Sequence, residues 1–462
     1  MRLVRAELGQ LLRDARLRWI GAVLVVLLGI ALAGAWRQAV RDAGDVRAIA
    51  QAERGRWLGQ DAKNPHSADH YGLWVFKPSS PLAVFDPGVE PYTGRMVRIE
   101  AHLFNDAVFR AVQDANPLSR AGLGSAADIV QLIVPLFAIL LGFSAFAADR
   151  ERGTLRLALG NGAAPGRLFT ARLAALLAAL VLVVGLPLSG LGSLAAASLD
   201  APGWEVWPRL VLWVAAQLAY AALFLVLAMA LSLTARTARG ALAASLLVWV
   251  LVCVAAPRLA TVAVETTAPA LSYRETRARI EEAVRGHRTA EANDERAKAV
   301  LARYGATDPD ALPVDLRGLM MSENERHNFA VFDAAFGAFF DSLLRQERAY
   351  AWAGLLSPRI ALQALSAALA GTDFSQHVHF VWAAEHYRRG ISERMNRAIM
   401  DNPQGGERRY TAGHDLWETV PPFDHLPMPL AGAAWAVPLA ILAAWLAVLG
   451  GAATLAVRRL TP

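Results

Sequence analysis

DRERGTLRLALGNGAAPGRL occupies residues 149–168, and the runs on either side of it, 129–148 and 173–199, carry no charged residue. A charged segment broken by Gly and Pro between two such runs reads as a loop at a membrane face. The chain around it has 462 residues, 55% hydrophobic and 19% charged. A soluble domain carries about 25% charged residues, and here the apolar surplus falls in a few long blocks, which points to lipid rather than to a large core. The single cysteine, Cys253, lies in one of those blocks, so a disulfide framework and a cysteine zinc site are excluded. The net charge of +6 is spread without a basic, aromatic-interleaved run, so no nucleic-acid partner is expected.

Six windows can each cross the roughly 30 Å of hydrocarbon that about 20 helical residues span. They are Trp19–Trp36, Ile129–Ala148, Leu173–Leu199, Leu210–Ala235, Gly240–Pro257 and Leu430–Val457, and none contains Asp, Glu, Lys or Arg. A central charge costs about 2.5–3.5 kcal/mol on insertion, so six charge-free windows are not accidental. ALAGA near the end of the first window resembles a signal-peptidase site, but the apolar core is longer than that of a signal peptide, so a retained anchor is expected.

Arginines set the orientation. Arg2, Arg5, Arg13, Arg16 and Arg18 precede span one, and Arg150, Arg152, Arg156, Arg167 and Arg172 lie between spans two and three. Arg236 and Arg239 lie between spans four and five, and Arg458 and Arg459 follow span six, whereas the loop between spans three and four holds only Arg209. The positive-inside rule then places both termini, residues 1–18 and 458–462, and the 149–172 segment in the cytoplasm. Residues 1–18 form an amphipathic stretch expected to lie along the membrane surface.

Two large segments, 37–127 and 258–429, fall outside. The first has 11 basic and 10 acidic residues, consistent with a folded surface. Residues 37–57 can continue span one as a polar helix, and the Pro-, Gly- and aromatic-rich 64–94 predicts compact irregular structure with short strands. The second reads as helical: 272–305 has few breakers, TDPDALP ends it with turn chemistry, and Phe329, Phe332, Phe336, Phe340 and Leu343 share helical spacing as a packed face. The expected fold class is thus membrane all-α, with six transmembrane helices and a mainly helical extracytoplasmic domain formed by the two insertions.

The chain cannot itself be a P-loop ATPase: Lys63, Lys77 and Lys298 are the only lysines and none follows Gly, so there is no Walker A motif. His66 and His70 are four apart and His377 and His379 two apart, but neither pair belongs to a strong metal pattern. No catalytic triad can be assembled, so no catalytic, cofactor-binding or metal-ligating residue is assigned. Gln131, Gln217 and Tyr220 within the spans read as interhelical hydrogen-bonding groups, and Pro135, Pro187 and Pro438 as kinks. The 149–172 segment is longer than a turn needs and its first arm is amphipathic, which suits a surface that touches something in the cytoplasm.

At ERGTLRLAL, followed by a Pro-containing turn and RLFTARLAALLAAL, the chain resembles ABC-2 type exporter permeases. There the segment after span two reads Glu-basic-Glu-basic-Gly-Thr, then a Leu run and a small-Pro turn. HYGLWVFKPSSPL, including His70, Tyr71, Gly72, Trp74, Phe76, Lys77 and Pro78, is similar to a subfamily of uncharacterised permeases with two extracytoplasmic insertions. So is LSPRIALQALSAALAGTDF, including Ser357, Pro358, Gly371, Thr372 and Asp373. The resemblance implies a permease of a bacterial cytoplasmic (inner) membrane that pairs with an identical or homologous permease and binds separate ABC ATPase subunits, where ATP and Mg reside. It further implies that Asp149, Arg150, Glu151, Arg152, Gly153, Thr154, Leu155 and Arg156 couple to the ATPase, with Gly153 permitting close approach. The sequence departs from the pattern at Arg172, where Lys is usual, and in the turn NGAAPG.

The expected function is that of a permease subunit without catalytic residues. Two rivals stand beside it: a membrane sensor or scaffold with an extracytoplasmic ligand-binding domain, and a membrane enzyme centred on His66, Asp69 and His70.

Overall fold

The structure, a computed structural model, describes residues 2–108, 110, 125–198, 203–403 and 409–460. The elements begin with α1 (Arg2–Leu11), α2 (Ala15–Leu58) and α3 (Pro65–Asp69), followed by the strands β1 (Leu73–Phe76), β2 (Met96–Ile99) and β3 (Ala107–Val108). Then come α4 (Ala126–Gly142), α5 (Ala147–Glu151), α6 (Thr154–Gly160), α7 (Pro165–Ser198), α8 (Gly203–Thr234) and α9 (Ala238–Thr267). The chain continues through α10 (Tyr273–His287), α11 (Ala290–Arg303), α12 (Leu316–Trp352), α13 (Pro358–Ala370), α14 (Phe374–Met400) and α15 (His414–Glu418), and ends in α16 (Ala436–Arg458).

Six helical stretches among the described residues are long and apolar enough to cross a membrane: α2, α4 with α5, α7, α8, α9 and α16. The chain is therefore a multi-pass, mainly helical membrane protein. Large apolar side chains stand exposed along these helices, among them Trp19, Ile30, Leu247, Leu259 and Val448, as lipid contact requires and water would not favour.

Proline chemistry explains how the spans hold together. Pro135 has no N–H to give the carbonyl of Gln131, and the Tyr220 hydroxyl from α8 donates to that oxygen instead at 3.0 Å. In α9 a π turn over Leu251–Ala255 shifts the N–H of Ala256 onto Leu251. That frees the carbonyl of Val252, and Pro257 frees that of Cys253. Ser357 Oγ takes the first and the Arg359 guanidinium takes the second. A second π turn, Val181–Gly185, precedes Pro187 in α7.

Those last contacts mark a difference from the sequence reading. Residues 353–370 belong to the 258–429 segment, yet α13 packs against α8 and α16, and Leu362, Leu365 and Leu369 join the core of the spans. Trp445, mid-way along α16, donates its indole N–H to Gly354 O at 3.0 Å. The bend between α12 and α13 thus reaches the middle of two spans, and α12 also touches α9 and α16, while most of the rest of the segment packs elsewhere.

Much of that remainder forms a separate core, with a smaller cluster of Val300, Leu312 and Leu319 beside it. β1, β2 and β3 make an antiparallel sheet in that order, with Leu73 opposite Ile99 and Phe76 opposite Met96. Its buried face, with Trp57, Phe104 and Trp417, meets Phe332, Phe336 and Phe340 of α12 and Phe380 of α14. The aromatic stripe is a packed face, as its spacing suggests. α2 runs unbroken past the apolar window to Leu58, and its Trp57 donates to Trp417 O at 2.9 Å. Thr289 caps α11 and interrupts the 272–305 helix, and Asp14 caps α2, separating it from α1.

Candidate functional site

The segment after the second span forms an elbow with a fixed base and a bare tip. Ser232 Oγ of α8 accepts the N–H groups of Phe146 and Ala147 at 3.0 and 2.9 Å, satisfying donors at the start of α5. Arg150 reaches the opposite kind of orphan, donating to the carbonyls of Ser232, Leu233 and Ala235 at the end of α8 at 3.1, 2.6 and 2.9 Å. A cation there also complements the helix dipole. Glu151 Oε1 accepts from Ala238 N at 3.2 Å, at the start of α9. Arg172 of α7 pairs with Asp149 at 2.6 Å and with Glu7 of α1 at 3.2 Å. Arg16 of α2 bonds Leu140 O and Ser144 Oγ, both at 3.1 Å, beside the elbow's entry.

Gly153 links the two arms with φ +73°, a left-handed conformation that costs other L-residues about 1–2 kcal/mol. A Cβ there would meet nothing within 4 Å, so the position faces open space. Glu151, Arg152, Gly153, Thr154 and Arg156 are exposed, whereas Asp149 and Arg150 are spent on internal bonds. Leu155 points into the core with Leu159, and Leu157, 66% exposed, is the apolar group offered at the tip. The signal for this was present, since 155 and 159 share a helix face that 157 does not.

The two insertion motifs, nearly 280 residues apart, meet. Thr372 Oγ donates to Asp86 O at 3.0 Å, Val89 N to Thr372 O at 3.0 Å, and Ser80 Oγ to Ala370 O. Gly88 lies so close to Thr372 that a Cβ would come within 2.4 Å of its carbonyl oxygen. Ser366 is the hub, accepting from Trp213 Nε1 at 2.8 Å and Gln217 Nε2 at 3.2 Å and donating to Asp86. Lys77 and Glu90 form a buried pair at 2.9 Å. Tyr71 lies under the Arg56 guanidinium at 4.4 Å, and Trp74 N donates to Glu53 at 3.1 Å. Gly72 faces the Arg98 side chain, and Phe76 and Pro78 border a cavity of about 690 Å3 with Trp204, Tyr387 and His425. Ser357 and Asp373 cap α13 and α14, Pro358 opens α13, and Gly371 closes it with φ +71°.

The histidine pairs part company. His377 is buried and pushed down to about 3 by burial, then by Lys77, while His379 meets His425 with ring centres 5.2 Å apart. His66 and His70 stay together and are joined by His102, which the sequence does not single out. Asp69 is not with them: it is buried beside Ser392 and Arg388, and burial raises its carboxyl to about 6.

Residues 272–425 match the family described as a domain of unknown function, DUF3526. The match begins at the cap of α10 and ends at His425, so it includes α13 but neither the elbow nor any of the six spans. No curated protein matches the chain.

Proposed function

We propose that the chain is the permease subunit of an ABC-2 type transporter, an exporter, in which a separate ATPase subunit hydrolyses ATP and drives substrate across the membrane. The observation that carries this reading is the elbow. It is bonded to α7, α8 and α9 at its base, and through Arg172 to α1, and is exposed at Arg152, Gly153, Arg156 and Leu157, while the Thr154 hydroxyl folds back onto Asp149. A load placed on such a tip is transmitted to several spans at once, which is what coupling to a moving partner requires. Both termini and the elbow then face the cytoplasm of a bacterial cell, and a second permease, identical or homologous, completes the unit within the lipid. Catalytic residues, ATP and Mg belong to the partner.

The test is an affinity pull-down from the native membrane with mass spectrometry of what co-purifies. An ATPase carrying a Walker A motif in near 1:1 ratio is the expected result. Recovery of the chain alone after cross-linking overturns it.

The roughly 690 Å3 cavity favours a second reading, a sensor or scaffold that binds a ligand on the extracytoplasmic side. That reading requires ligand binding with no ATPase in the complex.

A further inference from the structure

We propose that His66, His70 and His102 form a zinc site of three imidazoles with a fourth position open. One ligand atom from each lies within 4.8 Å of the others, and the ring centres stand 4.6, 5.1 and 5.0 Å apart, close to an equilateral triangle. His66 Nε2 faces His70 Nε2 at 3.2 Å. Zn–N bonds of about 2.0–2.1 Å in a tetrahedron place two ligand nitrogens about 3.3 Å apart, so the spacing suits a shared ion.

The strongest support comes from behind His102. Its Nδ1 bonds the Glu325 carboxylate, which is 1% exposed and held by Arg388 at 3.5 Å and Arg288 at 3.7 Å. A carboxylate at Nδ1 keeps the proton on that nitrogen and leaves Nε2 with its lone pair for a metal. His102 is also the one non-glycine residue among those described with a positive φ, +67°, and its ring lies beside those of His66 in α3 and His70 just after it.

The donor set selects the ion. Three neutral nitrogens without a carboxylate suit zinc rather than calcium or magnesium, which take oxygen. A zinc ion on three neutral nitrogens keeps a solvent ligand in its fourth position and lowers the pKa of that water, so water or hydroxide is the expected fourth ligand. His70 is exposed, which leaves the position open to solvent. The ion would tie α3 to the turn after β2 and, through Glu325, to α12.

Full-length protein, purified in detergent without a polyhistidine tag and stripped with a chelator, is titrated with Co2+ and back-titrated with Zn2+. One equivalent should bind with the intense visible absorption of four-coordinate cobalt, and zinc should displace it. His70→Ala should abolish the signal. His70 is exposed, so an unchanged size-exclusion profile certifies that the variant is folded. Glu325→Gln should weaken binding by roughly 10–100-fold. Absence of saturable binding in the unmodified chain, a pale six-coordinate spectrum, or equal binding by His70→Ala each overturns the proposal.

Discussion

The elbow and the paired insertion motifs carry the same family resemblance but end in opposite situations. Around Ser366 and Thr372 most of the hydrogen-bonding groups bond one another, the buried Gln217 Oε1 being left over, so that network defines a shape and turns inward. In the elbow only the base is consumed, and the tip keeps its charges and one leucine free for something else. Two stretches can look equally motif-like in sequence, and where their polar groups are satisfied separates a structural motif from a docking motif.

The difference can be broken at its strongest point by Ser366→Ala. The substitution leaves Trp213 Nε1, Gln217 and Asp86 without their shared partner, and each buried orphan costs about 1–3 kcal/mol. A loss of about 4 kcal/mol is expected, read as a large fall in thermal midpoint in detergent; a neutral result would show that the network is not closed.

Glu347 sharpens the same side. Burial, followed by the nearby Asp373, raises its carboxyl to about 7, while it accepts from Phe374 N. A raised acid is protonated in the folded chain when the unfolded chain has already ionised. Its contribution is therefore present below the unfolded value of about 4.5 and is lost as pH rises through about 7, by about 3 kcal/mol in all. Glu347→Gln should flatten thermal stability against pH in that window, and an unchanged slope would remove the residue from the closed region.

On the elbow, Leu157→Asp should leave insertion and stability intact but weaken docking of the proposed ATPase partner by roughly 30-fold, as for an interface residue worth about 2 kcal/mol. If stability falls instead, the tip is internal structure and the contrast collapses. The smallest effect is expected for Tyr220→Phe, which removes the donor that replaces the missing proline N–H: about 1 kcal/mol by thermal unfolding.

The spans were legible because freedom from charge over about 20 residues has few other physical causes. The bend at 353–370 was not. α13 has 13 residues, too few to span, and carries Arg359 in its first turn, whose charge argues against lipid. Only the carbonyl released by Pro257 in a different helix makes that arginine tolerable at such depth. Leu157 was readable from periodicity, because the buried pair 155 and 159 leaves it on the opposite face. His102 was not readable, because its neighbours come from α3 and from α12, and no local pattern announces a left-handed histidine.

The unbroken α2 has a mechanical consequence. At 44 residues it is about 66 Å long, roughly twice the thickness of the hydrocarbon. Arg16 bolts its foot to the end of α4, and Trp57 anchors its head in the distant aromatic core. A stiff lever of that length, tilted by about 5° at the foot, carries its head about 6 Å. Rocking too small to disturb the packing between neighbouring spans is magnified into a displacement larger than a full helical turn at the other end.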